Sequence, residues 1–477
     1  MAVNKRVVFS NLIWRYSERS AAQIVSFIVS IILARFLTPK EFGTVALMNV
    51  FINIMQVFAS SGLGSALIQK KDSDIYDFST VFWTQLFFCT CVYAILFFIS
   101  PLIARFYNRE ELVFMTRIAG ISILISGIRN IQLSYVTKHL QFKRFFFATL
   151  LGTLISAVIG IYLAYKGVGA WALVIQNLTN LFIDSIILWI TVNWHPFFYF
   201  SFSKLSRLFG FGFKMFLTSF IDTVYGDIRT LIIGKVYSPS DLALYNRGKA
   251  FPNIVVKNIN TSINSVLYPV MAQSQDNREE LKSITRRSMK TSIFFIAPMM
   301  IGLAVTAPLL VKVLLTEKWN ESIPYIRIFS LAMLFTPVNT ANISAIKALG
   351  RSDVVFKLSV IKKIIGITVL LISMQYSVKV IALGYLFCAL LSQIINTIPN
   401  YKFLNYSYFQ QFLDIVPYLL VSVFMGLIIY PIQLLHLPNV LLLILQIIAG
   451  GLIYYLAVRI CRLEAYTYIK KMIKKDF

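Results

Sequence analysis

The chain has 477 residues, of which 58% are hydrophobic and 14% are charged, and its mean hydropathy is +0.73. An average soluble domain carries about 25% charged residues, so this composition excludes a disordered chain and an ordinary soluble protein. Lysine and arginine total 45 against 20 acidic residues, a net charge of +25. These cations lie between apolar runs, which is typical of membrane anchoring, and no nucleic-acid partner is expected.

Apolar segments long enough to cross a bilayer recur along the whole chain. Fourteen spans are predicted, at 12–37, 42–68, 78–104, 112–137, 145–166, 169–193, 208–234, 244–272, 290–315, 322–348, 355–375, 378–400, 413–434 and 438–460. The seventh and eighth are the least hydrophobic. The predicted fold class is therefore an all-α polytopic membrane protein.

The basic residues predict how the chain is oriented. With the N-terminus inside, Lys and Arg are about threefold more frequent in the cytoplasmic segments than in the outer ones. This bias favours both termini in the cytoplasm and an even number of spans. Every loop is short, so no external or cytoplasmic domain is expected.

Two segments 200 residues apart resemble each other. ARFLTPKEFGTV begins at Ala34, and GKVYSPSDLALY begins at Gly234. A chance match or a common turn between helices stays open. A second, weaker similarity favours two six-helix lobes, 1–200 and 201–405, followed by two further helices and a basic tail in 406–477. An even number of spans per lobe predicts a pseudo-twofold axis along the membrane normal.

Four predicted spans, the repeat-related first, second, seventh and eighth, carry polar residues at helical spacing, so that each has a polar stripe on one face. The stripes contain Arg15 and Arg19; Asn49, Asn53 and Gln56; Asp222 and Arg229; and Asn246, Lys249, Asn253, Lys257 and Asn260.

Lipid cannot satisfy such stripes, because a centred charge costs about 2.5–3.5 kcal/mol on insertion scales. Asn and Ser side chains can instead bond across a dry helix interface, and this alternative stays open. Lys249 and Lys257 have no acid within one turn of their own helix, which favours a hydrated cavity or an anionic ligand. Asp222 and Asp227 fit either ion pairs or proton uptake.

No motif points to catalysis. The sequence has no P-loop, and its three histidines are isolated at the ends of spans. No catalytic residue, metal site or cofactor is expected.

Four stretches carry a family resemblance: FIVSIILARFLTPKEFGTVALMNVFINIMQVFASSGLGSALIQKKD from Phe27, FSTVFWTQL, GVGAWALVIQ and DIRTLIIGKVYSPSDLALYNRGKAFP. The chain resembles the polysaccharide-transporter family, the Wzx-type lipid-linked oligosaccharide flippases of the MOP superfamily, and their colanic-acid-exporter-like branch in particular. The resemblance covers most of the first 350 residues.

The resemblance implies two six-helix lobes around a cavity, as in MATE-like transporters, in the inner membrane of a bacterium. It implies movement of an undecaprenyl-diphosphate-linked oligosaccharide from the inner to the outer leaflet for exopolysaccharide, capsule or O-antigen synthesis. The implied partners are this substrate, membrane lipid and other polysaccharide-assembly proteins.

In this superfamily the first, second, seventh and eighth spans line the cavity, and family cavities are cationic. Combined with the stripes, this predicts substrate-binding residues Arg15, Arg19, Asn49, Asn53, Gln56, Arg229, Arg247, Lys249, Asn253, Lys257 and Asn260. Asp222 and Asp227 are the candidates for ion coupling. The predicted mechanism is alternating access of the two lobes.

Other functions stay open at this point. An ion-coupled small-molecule antiporter of the same architecture would carry cations, which favours an acidic cavity over this basic one. A polysaccharide polymerase would need catalytic residues on an outer loop. A membrane scaffold would not need polar stripes.

Overall fold

A computed structural model describes residues 22–60 and 62–475. All regular secondary-structure elements of this described part are helices. Helices suit a bilayer because they satisfy their backbone hydrogen bonds internally. The helices form two compact units, unit 1 (Met1–Ala243) and unit 2 (Leu244–Phe477). The predicted all-α class is confirmed. Arg15 and Arg19 lie outside the described residues.

Unit 1 is built largely from helical hairpins. Its described helices are α1 (Ala22–Phe36), α2 (Pro39–Ser60), α3 (Leu63–Gln69), α4 (Ile75–Tyr107), α5 (Glu111–Lys138), α6 (Phe142–Tyr165), α7 (Trp171–Thr191) and α8 (Phe202–Val236). Helix α4 packs against α5, and α6 against α7. Helix α2, which carries a predicted polar stripe, packs against α4, α5 and α8. The apolar core around Phe78 and Trp194 holds one end of these helices together.

Unit 2 is built around one long helix, α10. Its helices are α9 (Pro239–Gln273), which begins in unit 1, then α10 (Arg278–Leu314), α11 (Ile323–Met333), α12 (Thr336–Ala348), α13 (Ser352–Ser373), α14 (Val378–Leu404), α15 (Tyr408–Ile429), α16 (Asn439–Ile460) and α17 (Glu464–Lys475). Two 3-10 helices, Glu317–Ser322 and Tyr430–Leu434, connect them. Helix α10 packs against α11, α12, α15 and α16, so it forms the centre of the unit.

The boundary between the packed units lies after Ala243, whereas the repeat predicts lobes at 1–200 and 201–405. The reason is that α8, the seventh span, packs on α2 and α3 of unit 1. A repeat describes sequence similarity rather than packing, so the two lobes and the additional segment 406–477 stay a prediction.

The number of spans is only partly established. Each predicted span overlaps a described helix or a pair of helices. Ten segments of the described chain are long and apolar enough to cross a bilayer. Helices α1, α8, α9 and α13 do not belong to this set; for α8 and α9 this agrees with the low hydropathy of the seventh and eighth spans. The count of fourteen is not confirmed.

Two predicted spans consist of two helices each. The span at 42–68 is divided between α2 and α3 near Gly62, which has a φ of 66°. A Cβ atom on Gly62 would collide with the backbone of Gly212 on α8, so this turn needs glycine for its conformation and for the close approach. The span at 322–348 is divided between α11 and α12, and Pro337 stands in the first turn of α12.

The two repeated segments fold into the same local structure. Before α2, the Thr38 hydroxyl and Glu41 form a reciprocal cap, with the Thr38 N–H donating to Glu41 Oε2 at 2.6 Å. Before α9, Ser238 and Asp241 form the same cap, with the Ser238 N–H donating to Asp241 Oδ2 at 3.2 Å. In both, proline is the first residue of the helix. The similarity of these turns therefore extends from sequence to hydrogen bonding.

The start of α4 is fixed by a capping box and an ion pair. Asp74 Oδ1 accepts a hydrogen bond from the Asp77 N–H at 2.7 Å, and Asp77 Oδ2 accepts one from the Asp74 N–H at 3.1 Å. Lys204 Nζ donates to Asp74 Oδ2 at 2.6 Å. Burial raises the pKa of the Asp74 carboxyl, but the hydrogen bonds from Lys204 and Asp77 outweigh burial, so the pKa lies below its ordinary value.

Asp74→Ala should lower the free energy of unfolding by about 1 kcal/mol, because it removes the helix cap while the exposed ion pair adds little. Since the folded-state pKa is lowered, this contribution is present at neutral pH and is lost as the pH falls below about 4. Thermal unfolding in detergent measures the difference. Asp72→Ala, on the adjoining exposed loop, is the control; equal destabilisation by both variants would contradict the cap.

Candidate functional site

The described site residues divide between the two units. Unit 1 holds Asn49, Asn53 and Gln56 on α2 and Asp222, Asp227 and Arg229 on α8; unit 2 holds Arg247, Lys249, Asn253, Lys257 and Asn260 on α9. Each set is therefore described within its own unit.

In unit 1 the polar stripe of α2 borders a cavity of about 240 Å³ between α2, α5 and α7. The polar residues that line this cavity are Asn49, Asn53, Gln56, Ser122, Asn177 and Asn180. Two of them are oriented by neighbours. Gln56 Nε2 donates to Ser122 Oγ at 3.4 Å, and Asn180 Nδ2 donates to Ser156 Oγ on α6 at 3.2 Å.

A second, open cavity of about 400 Å³ shares Asn53 and Gln56 with the first and is bordered by α8. Its other polar residues are Ser60, Thr223 and Asp227. Asn53 Nδ2 donates to Asp227 Oδ2 at 3.1 Å, so the stripes of α2 and α8 meet in this cavity. Gly226 on α8 leaves open space, because no atom lies within 4 Å of where its Cβ would be.

We call the two joined cavities the amide recess. Its polar lining consists of carboxamides and hydroxyls, which both donate and accept hydrogen bonds, together with the carboxylate of Asp227. Among the described residues, no lysine or arginine lines it. Such a surface can bind a neutral, hydroxyl-rich ligand, and lipid cannot satisfy it.

Three polar residues of the first cavity were not predicted from the sequence: Ser122, Asn177 and Asn180. Asn177, Asn180 and Asp184 step by 3 and 4 along the sixth span, the same spacing that identified the stripe of α2. This spacing could therefore have predicted a polar stripe on the sixth span. Ser122 had no such signal.

The predicted cation of unit 1, Arg229, lies on α8 and is buried, with 9% of its surface exposed. Its guanidinium lies 5.7 Å from the Tyr225 ring centre. Asp222, two turns earlier, is exposed and does not line either cavity of the recess. Of the two acids predicted for ion coupling, Asp227 is thus the one that lies in the recess.

In unit 2 the first cations of α9 contact aromatic rings. The Arg247 guanidinium lies 4.9 Å from the Trp319 ring centre, and Lys249 Nζ lies 5.5 Å from that of Tyr385. Arg247 is buried and Lys249 is half-buried. Two residues apart on a helix, they point to different sides, so Arg247 does not share the stripe of Lys249.

Further along α9 the side chains of the stripe are more exposed. Asn253 and Lys257 are exposed, and Asn260 is half-buried. The Asn260 Oδ1 atom is itself buried and accepts no hydrogen bond from the described residues. The ammonium of Lys257 is thus available to an anionic group in a way that the Arg247 guanidinium is not.

Unit 1 contains one buried ion pair between α5 and α7 among its described residues. Arg129 on α5 pairs with Asp184 on α7, whose side chain is 3% exposed. Within the described residues, no group of three or more His, Cys, Asp and Glu side chains could hold a metal ion.

The long apolar helices of the fold are those of a multi-pass membrane protein. The chain belongs to a family described as polysaccharide biosynthesis protein, whose model matches residues 32–324. It is 24% identical over 363 residues to the succinoglycan biosynthesis transport protein ExoT of Rhizobium meliloti, covering 76% of this chain and 73% of ExoT. It is 23% identical over 379 residues to the lipopolysaccharide biosynthesis protein WzxC of Escherichia coli, covering 78% and 75% of the two chains.

Solved structures support the same fold. The lipid II flippase MurJ, in an inward-closed conformation, matches with a TM-score of 0.75 at 15% identity, covering 94% of this chain and 98% of MurJ. An inward-facing multidrug-resistance MATE transporter of the MOP superfamily matches with a TM-score of 0.64 at 14% identity, covering 82% and 98%. The predicted polysaccharide family is confirmed, and the chain shares the fold of these two structures.

Proposed function

We propose that the protein is a flippase for a lipid-linked oligosaccharide. It moves an undecaprenyl-diphosphate-linked repeat unit from the inner to the outer leaflet of a bacterial inner membrane, for exopolysaccharide, capsule or O-antigen assembly. Both termini are in the cytoplasm. The observation that carries the proposal is the amide recess, in a chain of a polysaccharide biosynthesis family.

The glycan is the part of the substrate that suits the recess. Sugar hydroxyls are too costly to carry unpaired through hydrocarbon, and each needs a donor and an acceptor. Asn49, Asn53 and Gln56 supply both on a single helix face, and Asn177 supplies both from α7. Asn180 adds an acceptor oxygen, because its amide nitrogen donates to Thr153 and Ser156. In this proposal the recess replaces the water that hydrates the sugars, while the polyprenyl tail remains in lipid.

The diphosphate needs cations, which the recess lacks. We assign this role to Lys249 and Lys257 on α9, with Asn253 and Asn260 adding hydrogen bonds. The proposal also includes Arg15 and Arg19 of the first span, whereas the buried Arg229 and Arg247 are not assigned to the diphosphate. The exposure of Lys257 and the partial exposure of Lys249 support the assignment, because a buried cation with no room beside it cannot take a diphosphate.

Lys249→Gln with Lys257→Gln should reduce transport of the lipid-linked glycan about tenfold. The effect is moderate because partly exposed cations are screened by solvent. Lys249→Arg with Lys257→Arg keeps both charges and should transport normally. If the glutamine variant inserts in the membrane and supports surface polysaccharide as well as the arginine variant does, the cationic assignment is wrong.

Alternating access gives the proposed mechanism, with two states that expose the bound headgroup to opposite sides. A membrane potential supplies about 2.3 kcal/mol per charge per 100 mV, which is enough to bias such a cycle. Asp227 is the better candidate for coupling, because it lies in the recess and accepts a hydrogen bond from Asn53, whereas Asp222 lies outside the recess.

A small-molecule antiporter is the second candidate, favoured by the MATE fold and by the carboxylate of Asp227 in the recess. Deleting the gene in its own bacterium separates the two. A flippase deletion accumulates the lipid-linked repeat unit on the cytoplasmic leaflet, and the native gene restores surface polysaccharide. Loss of resistance to cationic compounds, with normal polysaccharide, would instead identify the antiporter.

A further inference from the structure

The last helix, α17, is fixed to unit 2 at its beginning. The Ala465 N–H donates to the Tyr418 hydroxyl of α15 at 3.1 Å, and Glu464 pairs with Lys290 of α10. Leu463 and Tyr466 pack against the apolar cluster formed by α15 and α16. These contacts determine where α17 leaves the bundle.

The same contacts belong to a balanced ionic network. Arg286 donates two hydrogen bonds of 2.7 Å to the Asp414 carboxylate, and Lys290 Nζ lies 2.9 Å from Asp414 Oδ1. The Tyr406 hydroxyl also donates to Asp414, at 2.7 Å. Two cations and two acids, counting Glu464, leave this network neutral, so it does not attract a further ion by itself.

A pocket beside the network is positively charged. It has a volume of about 190 Å³ between α10 and α17, and its polar lining is Arg287, Lys290, Thr291, Glu464, Thr467 and Tyr468. Lys290 and Glu464 neutralise each other. Arg287 adds a positive charge, and its guanidinium lies 4.7 Å from the Tyr468 ring centre. Among the described residues, it has no acidic partner within 4.0 Å. The Thr291 hydroxyl adds a hydrogen-bond donor suited to a phosphodiester, whereas the Thr467 hydroxyl donates to the Glu464 carbonyl at 2.8 Å.

The sequence of α17 continues this positive charge away from the pocket. Its helical period places one side of basic residues opposite one side of apolar residues. The basic residues are Lys470, Lys471, Lys474 and Lys475. Lys470 lies one turn after Thr467 and therefore on the pocket side of the helix. A basic amphipathic helix at the end of a membrane bundle is typical of a helix that lies on an anionic lipid surface.

We propose that the pocket between α10 and α17 binds the headgroup of an anionic phospholipid, and that the lysines after it hold α17 on the membrane surface. The phosphodiester accepts hydrogen bonds from Arg287 and Thr291, and neighbouring headgroups are attracted by the exposed Lys470 and by the basic sequence that follows it. This inference does not depend on the proposed function, because it uses neither the recess nor the substrate.

Hydrogen–deuterium exchange of the full-length protein in lipid nanodiscs tests the proposal. The amides of α17 should exchange about tenfold more slowly in phosphatidylcholine with about 30 mol% phosphatidylglycerol than in phosphatidylcholine alone. Raising the salt to about 0.5 M should remove the difference, since the charges are exposed. Inorganic phosphate added to pure phosphatidylcholine should not protect α17.

Variants separate the pocket from the lysines. Replacing all four lysines by glutamine (K470Q, K471Q, K474Q and K475Q) should abolish the protection by phosphatidylglycerol. Replacing the same four by arginine should retain it. R287Q should weaken it, with the fold judged by exchange in α10. Equal exchange of native α17 in both lipids, or protection by phosphate alone, would overturn the proposal. So would a glutamine variant protected as well as the native chain.

Discussion

Asn49→Leu combined with Asn177→Leu should reduce translocation of the lipid-linked glycan on the order of 100-fold. Both side chains line the first cavity of the amide recess, from α2 and from α7. Each leucine leaves a desolvated sugar hydroxyl without its partner, at about 1–3 kcal/mol per group. Leucine is at least as compatible with a membrane helix as asparagine is, so the variant should still insert and fold.

Gln176→Leu is the matched control for this variant. Gln176 precedes Asn177 on α7 but lies against Gly160 of α6, outside the recess. It should transport at near the native rate, measured as surface polysaccharide or as export in proteoliposomes. If the double variant transports as well as Gln176→Leu does, the recess does not bind the glycan.

Asp184→Asn should lower the stability of the protein by about 3 kcal/mol, because it leaves Arg129 without its counter-charge at membrane depth. The carboxylate of Asp184 is 3% exposed and the guanidinium of Arg129 is 17% exposed. Loss of the pair should appear as a lower melting temperature in detergent and as a smaller yield of inserted protein.

Arg129→Leu with Asp184→Leu should recover most of the lost stability. Arg129 Nε and Asp184 Oδ1 are buried and make no hydrogen bond to any described residue, so the native pair is only partly compensated. An apolar pair of similar volume is often neutral or stabilising in such a place. Transport by the double variant should also recover if the pair is structural. Recovered stability with lost transport would show that the pair takes part in the transport cycle.

Helical periodicity predicted the part of the site that lies on one helix. Lipid cannot form hydrogen bonds with the stripe of Asn49, Asn53 and Gln56, and the stripe accordingly faces a polar cavity. Periodicity also separates Arg247 from Lys249, which the structure shows against different aromatic rings. The family resemblance, rather than the stripe, had included Arg247 among the cavity residues.

Contacts between helices could not be predicted in the same way. In unit 2, Asn342 donates to Gln411 Oε1 at 2.9 Å, and Asn396 donates to Asn339 Oδ1 at 2.8 Å, in a buried carboxamide network. These residues come from α12, α14 and α15, and the two bonded pairs are 69 and 57 residues apart in sequence. Hydropathy identifies the helices but does not say which of their faces meet. A polar residue on one helix does not predict which residue of another helix bonds to it.

The most direct measurement is translocation of a fluorescent polyprenyl-diphosphate oligosaccharide by purified protein in proteoliposomes, followed with a membrane-impermeant glycosidase. The account predicts that the native protein exposes glycan from the inner leaflet to the enzyme, and that Asn49→Leu with Asn177→Leu does so on the order of 100-fold more slowly. Native protein that leaves the inner-leaflet glycan protected, while it exchanges a cationic small molecule, would contradict the account.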